Sequence, residues 1–399
     1  MVCSSMFLSS VFIDRLGQKV TMCIAMSMYV IFMAANLYPV WGTMVPAALL
    51  CGLAAGPLWA SQSSFLSQLS RCYATNTNTK PKDSLSYFFG IFYMCVNASK
   101  ISGNLLASIV LKQDERSNRS MTREEIEDCV ANKQDAVDNA TTLERPDDTM
   151  IYSICGTWIG LAIVGIIVLV FLTPMTADGD ISKGRKRKPI FSKFLAAANH
   201  CWNSKLQKLM IPMTLYFGIA SGFLTADFTK SIIGCTFGIH TVGDFMLCHG
   251  ICNTVSASLL GHLVKHFGHL PFFTITFLCY GGVQAILIVW KPGTEHVYIF
   301  FIFAGMWGVA DAILKTQVLA MYGHLFADNT EAAFGNYFVF EATGFIISFS
   351  YSTFVSTDIK LYILLVLLVC SAISYYTVEY IDRKYNTRRD VDNDGTSIS

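Results

Sequence analysis

Apolar runs of about 20 residues recur from one end of this chain to the other, and they limit the fold more than any other feature. A bilayer core offers no water to backbone N–H and C=O groups, so a spanning segment must satisfy its own as a helix. About 20 apolar residues is the length that crosses. The runs fall near 20–38, 44–68, 85–111, 150–173, 207–226, 240–262, 271–290, 297–322, 333–354 and 359–380. These predict ten spans. The apolar opening, residues 1–13, reaches only about 20 Å as a helix and is too short to cross. Only 14% of the 399 residues are charged and 53% are hydrophobic, where a soluble domain carries about 25% charge. The chain reads as an all-α polytopic membrane protein whose first partner is the lipid bilayer. No basic face with interleaved aromatics points to nucleic acid. No nucleophile elbow, P-loop or H-E-x-x-H motif points to an enzyme or to a cofactor.

The loops predict an orientation. Segment 176–208 carries eight Lys and Arg residues against Asp178 and Asp180, so the positive-inside rule places it in the cytoplasm. Segment 112–149 carries eleven acids against six bases and two glycosylation sequons, at Asn118 and Asn139, and belongs outside. One span separates the two loops, and the two assignments agree. A third sequon, at Asn97, lies inside an apolar run and is expected to be silent. After Pro189 the inner loop turns amphipathic, and 190–205 reads as an interfacial helix. Most of the 13 cysteines lie inside apolar runs, where they serve as small core residues. Cys129 and Cys235 fall outside the runs on the same outer side and are candidates for a disulfide. His262, His266 and His269 lack a carboxylate or thiol companion, so they read as a basic turn and no metal site is expected.

The chain also contains a repeat. Residues 10–18, SVFIDRLGQ, match residues 261–269, GHLVKHFGH, each position 251 residues later. Gly52 pairs with Gly305, and Tyr87-Phe88 with Tyr337-Phe338, at nearly the same spacing. Two parallel halves joined by a basic loop form one of the transporter-type repeat architectures. The expected division is an N-terminal half 1–173 containing the outer loop 112–149, a cytoplasmic linker 174–206, a C-terminal half 207–381 and a disordered tail 382–399. The second half begins near 207, so its counterpart would begin roughly forty residues ahead of Met1. By that spacing the first helix and most of the second are expected to be missing from the chain.

The turn Asp14-Arg15-Leu16-Gly17-Gln18-Lys19 resembles the inner-loop motif of the major facilitator superfamily. Four stretches narrow the resemblance to the Unc-93 family, especially its A-type members: GLAAGPLWASQSSFLS (52–67), GFLTADFTKSIIGCTFGIHTVG (222–243), GMWGVADAILKTQVLAMYGHLF (305–326) and EAAFGNYFVFEATGFIISFSYS (331–352). The turn departs from the superfamily pattern at Ser10, usually Gly, and at Gln18, often Arg. The resemblance implies two six-helix halves, with 297–322 as the tenth helix lining a central cavity. It also implies that Asp14, Arg15, Gly17 and Lys19, with Lys265 and Gly268 in the twin turn, act as a conformational latch.

Charges at membrane depth are costly and are therefore the candidate functional residues. Asp311 and Lys315 stand four apart on one helix face and are expected to pair, as a cavity ion pair or as a helix-register contact. Glu341 has no partner nearby in sequence. Lys100 is placed to snorkel outward. Asp227 and Lys230 read as an exposed pair at the outer end of the seventh helix. The run 44–68 has no charge and offers Trp59, Ser61, Gln62, Ser63 and Ser64, which suits a neutral solute or none. Two functions remain. The family resemblance implies a regulatory or accessory subunit of other membrane proteins, such as a potassium channel subunit. The fold alone suggests a secondary transporter of a small solute.

Overall fold

The computed structural model describes residues 1–112, 129, 148–171, 196–237, 241–290 and 296–396. Asn118, Asn139, most of loop 112–149 and the basic part of the linker lie outside the described residues. A π-helical turn, Ser4–Leu8, leads into α1 (Ser9–Ala35). There follow α2 (Trp41–Thr77), α3 (Pro81–Lys112) and α4 (Asp148–Phe171). A short α5 (Ala196–Asn203) precedes α6 (Lys205–Phe223), which continues through the π-helical stretch Leu224–Gly234 and the last turn Cys235–Phe237. The chain then forms α7 (Val242–Phe267), α8 (Leu270–Val289), α9 (Val297–Leu325), α10 (Thr330–Ser352) and α11 (Thr357–Thr396). Among the described residues, nine helical segments are long and apolar enough to cross a membrane. The other long helix, α3, carries Lys82, Asp83, Lys100 and Lys112 along its length.

Most helices match the expected spans, with longer ends. Helix α2 continues nine residues past its apolar run, to a left-handed Asn78 that stops it. The last helix continues past residue 381 to Thr396, where a disordered tail was expected. Arg383 donates to Glu379 one turn earlier, at 2.9 Å, which carries the helix into polar sequence. The twin turns are a structural pair as well. Gly17 (φ 78°, ψ 162°) breaks α1, and Gly268 (φ 74°, ψ −175°) caps α7. A Cβ at either would meet nothing within 4 Å, so glycine is needed there for its left-handed φ and not for space.

Both twin turns lie at one end of the bundle, here called the turn end. Exposed aromatics mark both ends. Tyr38, Trp41 and Phe354 stand at the far end, and Phe171, Trp202 and Phe267 at the turn end. That is the distribution of rings at two lipid–water interfaces.

Helices α1–α4 and α6–α11 meet chiefly where α3 packs on α7 and α9 and where α2 packs on α10. Small residues allow the close approaches. A Cβ on Gly90 would lie 2.8 Å from the Ala257 carbonyl oxygen, and one on Gly261 2.9 Å from the Tyr87 ring. Within the second group, a Cβ on Gly218 would fall 2.1 Å from the Glu341 carbonyl oxygen. Asn97 donates to Asn253 at 2.6 Å in the buried α3–α7 contact. The second group's core is aromatic: Trp307 is fully buried and packs on Phe223, Phe228 and Tyr280.

Candidate functional site

Helix α9 carries both intramembrane charges of its run, and the structure separates them. Asp311 and Lys315 were expected to pair with each other, but each has taken a partner from another helix. Asp311 faces α7 and α8. The Tyr280 hydroxyl donates to its Oδ1, and His249 Nε2 lies 3.0 Å from Oδ2. All three side chains are buried. A buried carboxylate holding two donors avoids most of the cost of an unsatisfied charge. Behind them Gln284 donates to the Tyr216 hydroxyl at 2.8 Å, and the Tyr216 and Tyr280 rings meet edge to face.

One turn along α9, Lys315 faces the other way and donates to Glu341 Oε1 on α10. Glu341, partnerless in its own stretch of sequence, thus has its counter-ion 26 positions away. The ammonium also stands over four rings, with centroids 4.9 Å away for Phe217 and Tyr337, 5.5 Å for Phe338 and 5.7 Å for Tyr93. Ring faces are electron-rich and stabilise a cation that has left water. The Lys315 side chain keeps 14% exposure and that of Glu341 8%. Three oxygens here close no hydrogen bond of ordinary geometry: Glu341 Oε2, the Tyr93 hydroxyl and the Tyr337 hydroxyl, which lies beside Glu341. Lys100 is exposed and opposes Lys315 with like charge.

A third cluster joins the two helix groups at the turn end. Lys82 on α3 meets Glu379 at 3.3 Å and Asp382 at 3.4 Å on α11. His324 approaches Asp382 at 3.5 Å, and His269 approaches Asp83 at 3.6 Å. Arg71 on α2 donates to the Gly323 and Ala327 carbonyls at 2.7 and 3.0 Å, satisfying the end of α9. Gln18, beside the Gly17 break, donates to Ser64 on α2, whose hydroxyl meets Thr330 at the start of α10. None of Arg71, Lys82, Glu379 and Asp382 was singled out from the sequence. Arg71, Lys82 and Asp382 flank the apolar runs and Glu379 lies at the last turn of one, where charge looks like ordinary loop polarity.

The turn residues occupy different positions. Asp14 and Arg15 are exposed. Lys19 donates to the Val170 carbonyl at 2.7 Å and ties α1 to α4. Lys265 lies 5.0 Å from the centre of the Tyr87 ring, reaching from one helix group to the other. At the far end, Cys129 and Cys235 are joined as a disulfide with Cα atoms 5.8 Å apart. Asp227 was expected in an exposed pair with Lys230. It is instead buried, 2.6 Å from Lys360 and accepting from Ser352 at 2.8 Å. The reason is length: the helix runs on to Phe237, so Asp227 lies inside it, not at its end. No cluster of three metal-ligating side chains occurs among the described residues. His262 packs edge-on against Tyr87, and His269 turns to Gln317. Outside the spans, burial pushes the His200 imidazole of α5 below its ordinary range.

Comparison with known proteins agrees with this picture. A family model described as "Ion channel regulatory protein UNC-93" matches residues 1–376. Protein unc-93 homolog A from Xenopus laevis and from Homo sapiens are each 34% identical over 386 residues, covering 96% of this chain and 84% of theirs. A Caenorhabditis elegans relative, named for potassium channel regulation, is 28% identical over 389 residues, 95% of this chain and 55% of its own. Among solved structures, the major facilitator proton:xylose symporter XylE superposes with a TM-score of 0.59 at 12% identity, over 94% of this chain and 83% of that one. That likeness shows the fold: a multi-pass bundle of the major facilitator type. By sequence, the chain belongs to the UNC-93 family.

Proposed function

We propose that this chain is a regulatory or accessory subunit of other membrane proteins, with a potassium channel subunit as the partner class. One observation carries the reading beyond family membership. The charges at membrane depth are consumed inside the chain, Asp311 by Tyr280 and His249 and Lys315 by Glu341. The transporter-type bundle is here held by its own counter-ions, while α4 turns long apolar side chains outward, available to a neighbouring helix. On this reading the basic linker and the turn end face the cytoplasm, Asn118 and Asn139 carry sugar outside, and the protein resides in the plasma membrane. The twin turns, with Asp14, Arg15, Gly17, Lys19, Lys265 and Gly268, act as a latch that sets the angle between the helix groups. The division into two halves, an outer loop, a cytoplasmic linker and a tail follows the same reading.

The test is co-expression with a potassium channel and current recording, for the unmodified chain and for Asp311→Asn. A change in current without solute flux supports regulation. Saturable uptake of a solute, lost in the variant, replaces it with transport. Endoglycosidase-sensitive sugar at Asn118 or Asn139 is expected, and its absence from both in surface-exposed protein overturns the orientation.

A further inference from the structure

The surroundings of Lys315 exceed what an ion pair needs. A carboxylate alone neutralises an ammonium, yet four ring faces also surround this one. The polar atoms left over beside it are all oxygens, Glu341 Oε2 and the hydroxyls of Tyr93 and Tyr337, and all can accept. A primary ammonium carries three N–H donors, and Lys315 places one on Glu341 Oε1. Carboxylate, ring faces and spare acceptors together are the chemistry that recognises an organic cation.

We propose that Glu341, Tyr93, Phe217, Tyr337 and Phe338 form a binding site for small primary ammonium ions, which Lys315 fills as a tethered occupant, and that a free alkylammonium ion exchanges with it. Three features permit the exchange. Lys315 reaches the site on a flexible four-carbon stem, so it can withdraw without moving α9. Its side chain retains 14% exposure, so the site is not sealed. Lys100, of like charge, lies close enough to disfavour its stay. The spare acceptors favour a primary ammonium over a quaternary one, and Glu341 repels anions. Tyr93 comes from α3 and the other members from α6 and α10, so occupancy depends on how the two helix groups meet. The inference is independent of the regulatory role proposed above.

The test is chemical replacement of the tether in the full chain, purified in lipid nanodiscs. Lys315→Ala removes the equivalent of n-propylammonium from the site. Added n-propylammonium is expected to bind this variant saturably and to raise its melting temperature, with no such effect from n-propanol. In the double variant Lys315→Ala/Glu341→Gln, binding is expected to weaken by at least about tenfold, because the charge-assisted bond is gone. If Lys315→Ala does not accumulate folded, Lys315→Met keeps the stem volume and leaves room at the Nζ position for a free ammonium ion, with the same expectation. Equal stabilisation by n-propanol overturns the proposal, since the site is then only an apolar void. Absence of any cation effect in the folded variant overturns it too, as does binding that is indifferent to Glu341→Gln.

Discussion

Asp311 and Lys315 stand one turn apart on the same helix, yet their settings differ in kind. Asp311 is held by hydrogen-bonding side chains, Tyr280 and His249, all within α7–α9. Lys315 is held by a full opposite charge on α10 and by a ring from α3, across the meeting of the two helix groups. Removing a partner from Asp311 leaves hydrogen bonds unmade. Removing the partner of Lys315 leaves a cation without its counter-ion. The first setting braces one helix group, while the second depends on how the groups meet. Four experiments follow, two of which separate them.

The largest effect is expected from Gly218→Val. Its Cβ would lie 2.1 Å from the carbonyl oxygen of Glu341, against backbone that cannot swing aside. Prying α6 from α10 costs about 4 kcal/mol or more, and monodisperse protein should be lost on size-exclusion chromatography. Next, Glu341→Ala is expected to destabilise by about 3–5 kcal/mol, the range for one partner of a buried pair. Asp311→Ala should cost less, about 2–3 kcal/mol, because only hydrogen-bonding groups are orphaned. Denaturant titration orders the two, and the reverse order breaks the distinction. Third, a double-mutant cycle on Lys315 and Glu341 should give a coupling above about 1 kcal/mol, and one on Asp311 and Lys315 below about 0.5 kcal/mol. Comparable couplings would restore the pairing expected from their spacing. The smallest effect concerns His200, outside both settings, which packs edge-on against Phe326 at 5.0 Å. Its imidazole titrates below the ordinary 6.5 because burial disfavours the charged form. The unfolded state therefore binds the proton first. The docking of α5 is fully stable above pH 6.5 and weakens as pH falls through and below it. Faster amide exchange in 196–203 at pH 5.5 than at pH 7.5 would show it; unchanged exchange would refute it.

The spans were legible because bilayer thickness imposes a length that hydropathy reports directly. The Gly17 and Gly268 turns were legible because a repeat preserves what backbone geometry requires. The charge partners were not. Spacing along one helix reveals only same-face neighbours, and it suggested Asp311 with Lys315. The true partners, His249 for Asp311 and Glu341 for Lys315, sit on other helices, and their meeting depends on helix rotation and packing. One signal was available: a lone Glu341 at membrane depth demands a cation, and Lys315 and Lys100 were the lysines deepest inside other runs. Asp227 was misplaced for a different reason. The apolar run ended at 226, and the helix did not.

That continuation, the π-helical stretch Leu224–Gly234, has a consequence of its own. A π turn packs an extra residue into roughly one turn of helix, so it is spare length folded into the backbone. If the stretch tightens to α geometry, the surplus is paid out toward the far end and everything beyond it rotates. Asp227 and the Cys235 end of the disulfide would shift register against Lys360 of α11, while α6 below Phe223 stays seated on α10. The same surplus makes this a stretch of the transmembrane core where loss of a single codon could be absorbed locally, by a change of helix type, with the remaining helices left in place.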